Sequence, residues 1–439
     1  MKFFSQLRRE QKEAVGLLSI GTFLEYFDLI LYVHMSVFLN ELFFPQSDPH
    51  TTELLSALGF CSTFVLRPFG ALLFGWIGDN ISRKTTVIIT TAMMSLSCLI
   101  MYTLPTYAQI GISASWLMTL CRMMQGMSSM GEIIGAELYL TETIERPLVF
   151  PVVGFLTISL GFGAMAALAV ASLVTNSGFN WRNAFLIGAT IAFVGAIART
   201  RLRETPDFAD AKRRLQNAIT DTLENDQINQ DKAVKRTNIL FNDKVDWKTS
   251  LSYFFLESPA PISFYLIYVF CGNILKDKFG YSAAEVIHHN LIILLPELLG
   301  HIITILLSYK IYPLKILKAK LIIYFPFVLI LPYLLNNTHN AFIVTAIQLY
   351  IAIFSAIVLT ASPIFYKNFP VFKRFTYTSF MYALSRASMY ILTSFKLVYL
   401  TKYFGYYGLL VILVPVMIGY TFGLLHFEKL EKEAGNYPK

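Results

Sequence analysis

The chain has 439 residues, of which 55% are hydrophobic, 15% are aromatic and only 15% are charged, and its formal net charge is +8. Soluble globular proteins carry roughly 25% charged residues, so this chain has too few polar side chains to cover a water-exposed surface. A mean hydropathy of +0.55 also excludes intrinsic disorder, collagen-like repeats and disulfide scaffolds. The composition indicates a polytopic membrane protein.

Long apolar runs recur along the whole chain and predict transmembrane helices, because about 20 residues at 1.5 Å each cross roughly 30 Å of hydrocarbon. We predict twelve spans, at residues 14–39, 53–77, 84–104, 113–136, 148–174, 183–200, 249–275, 286–308, 320–335, 341–365, 375–398 and 403–426. The ninth is the shortest and contains Pro326 and Pro332.

The distribution of basic residues between the loops predicts the topology. One alternate set of loops, which includes both termini, holds 28 Lys and Arg residues and the other set holds 4. Leaving out the long segment 199–248 still gives 17 against 4. Basic loops stay in the cytoplasm, so both termini are predicted to be cytoplasmic. Because the positive charge follows this alternation, we expect a lipid bilayer, and not a nucleic acid, as the partner.

The predicted spans fall into two groups of six. Residues 1–200 form an N-terminal six-helix bundle, residues 201–248 a polar cytoplasmic connector, and residues 249–439 a C-terminal six-helix bundle. Within the connector, residues 213–238 can form an amphipathic surface helix. Two six-span halves are typical of secondary transporters, which bind their substrate between the halves near the bilayer midplane.

Catalytic and cofactor motifs are absent from the sequence. No P-loop, nucleophile elbow or H-E-x-x-H pattern occurs, so we expect neither an enzyme nor an ATP-driven pump, and no cofactor. The cysteines lack C-x-x-C spacing and lie within apolar runs, which predicts buried packing residues and no metal site. They are Cys61, Cys98, Cys121 and Cys271.

Ionisable residues inside the first-half spans are candidates for proton coupling, because a charge at the midplane costs at least about 2.5–3.5 kcal/mol and needs a reason. Glu25 and Asp28 are three residues apart on one helical face, and Tyr32 continues that stripe. Two close carboxylates suit a proton carrier. The alternative is a structural ion pair with Arg67 or Arg122.

Arg122, deep in the fourth span, can hold a substrate carboxylate bidentately or pair with an acid until protonation frees it. Arg67 in the second span is a candidate anion ligand or gate residue. Glu132 is a candidate for proton coupling, with a structural ion pair to Arg83 or Arg146 as the alternative.

The second half offers further candidate substrate ligands. Glu297 and His301 are four residues apart on one helical face, a spacing that suits a hydrogen-bonded pair. Tyr265 and Tyr268 can stack on a substrate or its ammonium group, with packing as the alternative. Arg386 in the eleventh span completes this group, and Glu257 is also ionisable and lies within the seventh span.

The loop after the second span reads Gly75-Trp-Ile-Gly78-Asp79-Asn80-Ile-Ser82-Arg83-Lys84, in which glycines permit close helix approach beside a charge relay. A simple basic turn is the alternative. The segment resembles the G-x-x-x-D-r-x-G-R-K signature of the major facilitator superfamily, with Asn80 and Ser82 as departures.

Other segments resemble the metabolite:proton symporter branch of that superfamily, which carries proline and betaine, α-ketoglutarate, citrate and shikimate. They include Gly21-Thr-Phe-Leu-Glu25-Tyr26-Phe27-Asp28, Arg67-Pro68-Phe69-Gly70, Arg122-Met-Met-Gln125-Gly126 and Arg203-Glu204-Thr205-Pro206-Asp207-Phe208. The second half lacks the loop signature and has Tyr309-Lys310-Ile-Tyr-Pro313-Leu-Lys315 in its place.

The resemblance implies an all-α fold of twelve transmembrane helices, with gating by the loop residues and by Arg374 before the eleventh span. It implies in particular that Asp79 docks on the N-terminus of the eleventh helix, near Thr376, when the cytoplasmic side is closed. Pairing of Asp79 with Arg83 alone is the alternative.

We therefore expect a proton-coupled symporter for a small charged organic solute, monomeric and located in a bacterial inner membrane. Candidate charges of both signs favour a zwitterion such as proline or betaine. The alternatives are a di- or tricarboxylate symporter, and an exchanger or exporter of the same fold. The alternative hypotheses from other functional classes are a multi-pass membrane enzyme and a receptor or scaffold that does not transport.

Overall fold

The computed structural model describes residues 2–44, 64–177, 180–224 and 244–438. Within those ranges every regular element is a helix and no strand occurs. This is the expected outcome for apolar runs in lipid, because a helix satisfies its backbone hydrogen bonds within the segment itself. Cys61 and part of the predicted second span lie outside the described residues.

The α-helices, numbered in chain order, are α1 Lys2–Ser5, α2 Arg9–Phe43, α3 Arg67–Asn80, α4 Arg83–Thr103, α5 Tyr107–Ile110, α6 Ile112–Glu132, α7 Ile134–Thr143, α8 Val149–Ser177, α9 Trp181–Arg199, α10 Pro206–Glu224, α11 Trp247–Glu257, α12 Pro259–Phe264, α13 Cys271–Phe279, α14 Ala283–Ser308, α15 Pro313–Asn336, α16 Ala341–Phe354, α17 Ser362–Lys367, α18 Val371–Ile391, α19 Leu397–Phe404 and α20 Gly408–Glu433. Tyr265–Phe270 and Leu392–Lys396 are π-helical, and Leu359–Ala361 and Gly405–Tyr407 are 3₁₀-helical.

Eight of the described helical segments are long and apolar enough to cross a membrane. They correspond to the first, third, fifth, sixth, seventh, eighth, tenth and twelfth predicted spans. The fourth, ninth and eleventh predicted spans are also helical, as α6 with α7, α15 and α18. The chain is therefore an all-helical, multi-pass membrane protein, as the sequence predicts.

Several predicted boundaries are wrong. The fourth span does not end at residue 136, because α7 continues the helical course to Thr143. The ninth is longer than predicted, since α15 begins at Pro313 and retains both internal prolines. The hydroxyl of Tyr350 donates to the carbonyl of Ile323 at 3.0 Å, next to the turn that Pro326 disturbs. In the connector, α10 forms the amphipathic helix as far as Glu224, and residues 225–243 lie outside the described ranges.

The helices pack most closely where glycines replace larger side chains. Helix α8 packs along α2, and a Cβ on Gly163 would lie 2.2 Å from the carbonyl oxygen of Phe23. Helices before and after the connector meet along two lines, α3 against α18 and α8 against α14. Large apolar side chains point outward on the exposed faces, as a lipid-facing surface requires; Trp116 is 70% exposed.

The contact at Gly163 generates a stability prediction. Gly163→Ala should lower the melting temperature of the detergent-solubilised protein, because the new methyl group meets a backbone atom that cannot move without shifting α2. Gly16→Ala is the matched control, since a Cβ at Gly16 meets nothing within 4 Å and alanine favours a helix interior by roughly 0.5–1 kcal/mol. A Gly163→Ala melting temperature equal to that of the parent would contradict the packing described for α2 and α8.

Candidate functional site

A cavity lies between the helices that precede the connector and those that follow it. Its water-accessible volume is about 220 Å³. Its walls come from α2, α7 and α8 on one side and from α11, α12, α14, α18 and the π-helical turn on the other. Of the predicted substrate residues, the cavity is lined by Tyr268, Glu297, His301 and Arg386. It is not lined by Arg67, Arg122, Tyr32 or Tyr265.

Irregular backbone forms much of the cavity wall. Helix α16 ends at Phe354, and the chain continues through Ile357, Val358 and Leu359 at the cavity before α17 begins. Leu359 has a positive φ of 42°. This conformation is uncommon for residues other than glycine and indicates a constrained site. Broken helices of this kind are found where backbone lines a cavity within a membrane protein.

The π-helical turn is held open by side chains from neighbouring helices. Gln348 Nε2 donates to the carbonyl of Ile267 at 2.7 Å, and Asn290 Nδ2 donates to the carbonyl of Tyr268 at 3.3 Å. Both carbonyls belong to the wide turn, whose backbone hydrogen bonds are rearranged. The turn places Tyr268 on the cavity wall.

The cavity contains three carboxylates and one guanidinium. Arg386 Nη1 lies 3.0 Å from Glu257 Oε2, and its guanidinium carbon lies 3.3 Å from the centre of the Tyr382 ring. Glu137 accepts a hydrogen bond of 2.7 Å from the hydroxyl of Tyr366. The third carboxylate is Glu297. Acidic charge therefore exceeds basic charge among the residues that line the cavity.

The predicted hydrogen bond between Glu297 and His301 is wrong. Glu297 accepts a hydrogen bond from the Tyr268 hydroxyl instead. The two residues do share the cavity face of α14, as their spacing predicts.

Asp28 is buried beside the cavity in a polar cluster on the other face of α2. Arg122 Nη1 lies 2.8 Å from Asp28 Oδ2, and Gln125 Nε2 donates to Asp28 Oδ1 at 2.6 Å. The guanidinium carbon of Arg122 lies 3.9 Å from the centre of the Tyr32 ring. The predicted stripe on α2 thus meets a buried cation.

Glu25 has its own partner, as the ion-pair alternative predicts. Arg67 Nη2 lies 2.6 Å from Glu25 Oε1, with both side chains buried. The same guanidinium lies 4.6 Å from the centre of the Phe64 ring. Glu25 and Asp28 are therefore neutralised by two different arginines.

Glu132 pairs with Arg199, and the predicted partners Arg83 and Arg146 are wrong. Arg199 Nη1 lies 2.5 Å from Glu132 Oε2, and Thr91 donates to Glu132 Oε1 at 2.6 Å. Both members of the pair are at most 1% exposed. Arg199 also donates to backbone carbonyls of α2, so the pair joins α2, α4, α6 and α9.

At the end of the molecule predicted to face the cytoplasm, Asp79 joins α3 to α18. Its carboxylate accepts the backbone amides of Phe375 and Thr376 at 3.0 and 2.8 Å, and the Thr376 hydroxyl at 2.6 Å. Arg83 Nη1 lies 2.5 Å from Asp79, so docking and the Arg83 pairing coexist. Close approach depends on Gly75, because a Cβ there would lie 2.6 Å from Thr376 Cα.

The predicted position of the docking site within the eleventh helix needs one correction. Helix α18 begins at Val371, so Asp79 bonds to its second turn and not to its terminal amides. Arg83 Nη2 donates to the Val371 carbonyl at 2.7 Å, which is the carbonyl that an undisturbed helix offers to the Phe375 amide. Direct hydrogen bonds, more than the helix dipole, therefore hold Asp79.

Glu142 extends this contact to a second arginine. It lies 3.4 Å from Arg83 Nε and 2.9 Å from Arg374 Nη1, and it accepts the Thr205 hydroxyl at 2.6 Å. Burial raises the pKa of Glu142, but the two guanidiniums and the hydroxyl outweigh burial and leave the pKa below its usual 4.5. Lys84, the remaining predicted gate residue, is half-buried.

A second contact lies at the same end and involves the second-half loop that lacks the signature. Arg146 Nη1, in the loop before α8, lies 2.6 Å from Glu431 Oε2 near the end of α20. Tyr312, at the start of α15, donates its hydroxyl to Glu431, and Gln6 Nε2 donates to the Tyr309 hydroxyl at 3.1 Å. Segments from both ends of the chain therefore meet here.

Sequence reasoning missed four residues of this arrangement. They are Tyr26, Glu137, Glu142 and Arg199. The boundary placed at residue 136 put both acids of α7 outside the fourth span, although an acid recurring at i+5 from Glu132 was a visible signal. Tyr26 is adjacent to the acids of α2, but its orientation towards the cavity depends on packing that one sequence does not reveal.

The chain is similar to known transporters in sequence. The profile of the Major Facilitator Superfamily matches residues 18–394. The proline/betaine transporter of Salmonella typhimurium is 27% identical over 301 residues, which are 66% of this chain and 57% of that protein. The inner membrane metabolite transport protein YhjE of Escherichia coli is 36% identical over 208 residues, which are 45% of this chain and 47% of that protein. The chain thus spans about half the length of these relatives.

Solved structures show the same fold. The proton:xylose symporter XylE bound to 6-bromo-6-deoxy-D-glucose superposes with a TM-score of 0.74 at 14% identity, over 95% of both chains. The human organic anion transporter MFSD10 superposes with a TM-score of 0.62 at 14% identity, over 96% of this chain and 99% of that one.

The Glu142 cluster predicts a pH-independent stabilisation. Glu142→Gln should destabilise the protein by about 1.5–3 kcal/mol, because it removes the charge that two buried guanidiniums share, while Arg83 keeps its pair with Asp79. A carboxylate with a lowered pKa stabilises the fold above its unfolded pKa and loses this effect as the pH falls through its folded pKa. The difference in melting temperature between parent and variant should therefore stay constant from pH 8 to pH 5.

The matched control is Glu10→Gln, since Glu10 pairs with Arg203 on the surface, where both side chains are more than two-thirds exposed, and should change stability little. A Glu142→Gln difference that disappears between pH 8 and pH 5 would contradict the ionised cluster.

Proposed function

Because the chain belongs to the Major Facilitator Superfamily of membrane transporters, we propose that it is a secondary active transporter that couples proton entry to uptake of a small zwitterion. The observation that carries the proposal is the cavity between the two groups of helices, which presents Arg386 to an anionic group and Glu297 to a cationic group. The names of the relatives, which include proline/betaine transporters, support the same substrate class. The name of an inner membrane relative supports a location in a bacterial inner membrane.

The proposed architecture has twelve spans in two bundles, residues 1–200 and 249–439, joined by a cytoplasmic connector at 201–248. The excess of basic residues on one side supports cytoplasmic termini. Two contacts across the bundles at that same side, centred on Asp79 and Glu431, support alternating access in which this end opens and closes. We propose that the monomer is the functional unit.

Proton coupling is proposed at Asp28. Its carboxylate neutralises Arg122 in a buried site, and a proton on Asp28 removes that neutralising charge at a cost of several kcal/mol. The cluster therefore rearranges when Asp28 is protonated. Since Tyr26 and Ile30 lie on the cavity face of the same helix, a shift of α2 transmits the proton's arrival to the substrate.

The other predicted residues take supporting roles in this proposal. Arg122, Arg67 and Tyr32 act through the ion pairs and ring contacts on α2, and Glu25 is a second proton-coupling candidate. Tyr268, His301 and the pair Glu297 and Arg386 contact the substrate. Glu132 holds the first bundle together through Arg199, and Tyr265 is the first residue of the π-helical turn.

Transport in proteoliposomes tests the function and the coupling site together. Labelled proline should accumulate when an inward proton gradient is imposed, and not in its absence. Asp28→Asn should abolish accumulation and retain exchange between loaded vesicles, because asparagine keeps the shape of the side chain but can neither bind nor release a proton. Glu285→Gln, on the exposed end of α14, is the control. If neither proline nor glycine betaine is taken up, the proposed substrate class is wrong. If Asp28→Asn accumulates proline at the parental level, Asp28 is not the coupling site.

The gate is tested by Asp79→Asn, which removes the charge with little change in shape. Loss of the charged hydrogen bonds to α18 should shift the population towards the state open to the cytoplasm. Labelling of a cavity cysteine from the periplasmic side should then fall severalfold, since about 1.4 kcal/mol is a factor of ten in a population. Equal labelling in variant and parent would exclude Asp79 as a gate.

A further inference from the structure

Helix α14 presents a stripe of polar side chains to the cavity. Asn290, Glu297 and His301 all line it, and their spacings of seven and four residues place them on one helical face. After Asn290 the helix is otherwise mostly apolar, and each polar side chain there costs free energy unless it forms a hydrogen bond. Contacts within α14 itself therefore do not satisfy these polar side chains.

Two atoms of this stripe have no hydrogen-bond partner among the described residues: Asn290 Oδ1 and His301 Nε2. Asn290 is 5% exposed and His301 9% exposed. The orientation of the Asn290 amide is set by its Nδ2, which donates to the Tyr268 carbonyl at 3.3 Å, so its oxygen remains an acceptor. Buried polar atoms without partners are rare and mark a missing ligand or water.

The groups around Glu297 and His301 supply little positive charge at the cavity. The Tyr268 hydroxyl donates to Glu297. Tyr26, on α2, also faces the cavity. Lys320, on α15, interacts electrostatically with both Glu297 and His301 but does not line the cavity. A cation that enters the cavity therefore meets a stripe of acceptors.

We propose, building on the zwitterion transport proposed above, that the substrate's cationic group carries N–H donors and binds between Glu297 and His301, so that a primary or secondary ammonium is preferred over a quaternary one. The carboxylate of the same substrate binds Arg386. All described hydrogen bonds of that guanidinium come from Nη1, and a guanidinium has five donors in a planar fork.

The preference follows from the cost of unmade hydrogen bonds. A site built to hydrogen-bond a substrate rejects an analogue that lacks the donor, because its buried acceptors are left unpaired. A quaternary ammonium is instead recognised by open aromatic faces. Here the Tyr382 ring face is covered by Arg386 at 3.3 Å, and the Phe264 ring packs on those of Tyr268 and Tyr390 at 5.2 and 6.4 Å between centres.

A series of proline analogues isolates this effect. Proline, N-methylproline and N,N-dimethylproline share the ring and the carboxylate and carry two, one and no N–H donors. Binding of each to the purified protein in detergent, measured by isothermal titration calorimetry, should weaken along the series by at least tenfold overall. Glu297→Gln and His301→Leu should weaken proline binding and reduce the discrimination, whereas Glu285→Gln, outside the cavity on the same helix, should leave both unchanged.

Equal binding of proline and N,N-dimethylproline by the parent protein overturns the inference and leaves the zwitterion function intact. Binding of none of the three analogues overturns the zwitterion function, and the inference with it. Because the parent protein alone gives these outcomes, the test does not depend on the folding of any variant.

Discussion

The first bundle depends on one constraint: a charge buried in a low-dielectric interior must have a partner. Three carboxylates from α2 and α6 are matched by three arginines, and each pair joins different helices. The pairs are Glu25 with Arg67, Asp28 with Arg122 and Glu132 with Arg199. Breaking any one of them leaves an uncompensated buried charge at about 3–5 kcal/mol. The three pairs therefore fix the arrangement of α2, α3, α6 and α9.

Helix α18 extends from the contact with Asp79 to the cavity. Asp79 bonds to its second turn at Phe375 and Thr376, and Arg386 faces the cavity eleven residues further on. At 1.5 Å per residue, about 15 Å of helix separates Thr376 from Arg386. Arg386 and the residues that Asp79 contacts therefore lie on one continuous helix.

The two bundles differ in how they manage irregularity. The described first-bundle helices follow regular α-helical courses around ion pairs. The second bundle instead contains π-helical turns and the break between α16 and α17, where side chains such as Gln348 satisfy exposed carbonyls. Arg146 and Tyr312 contact Glu431 at the same end of the molecule where Asp79 contacts α18.

The sequence by itself determined the membrane class, the positions of most helices and the family, because hydropathy, loop charge and the motif around Asp79 are local properties of the chain. It also predicted Asp28, Arg122, Glu297 and Arg386 as ionisable residues within spans.

Only the tertiary structure decided which charge pairs with which, because pairing depends on the rotation of each helix about its axis, and single-sequence periodicity leaves that rotation undefined. It separated Arg122, sequestered by Asp28, from Arg386, which reaches the cavity. It showed that Glu132 pairs with Arg199 and that Glu297 accepts a hydrogen bond from Tyr268. The extension of α7 that brings Glu137 to the cavity is likewise a consequence of packing, which stabilises a helical turn that hydropathy alone assigns to a loop.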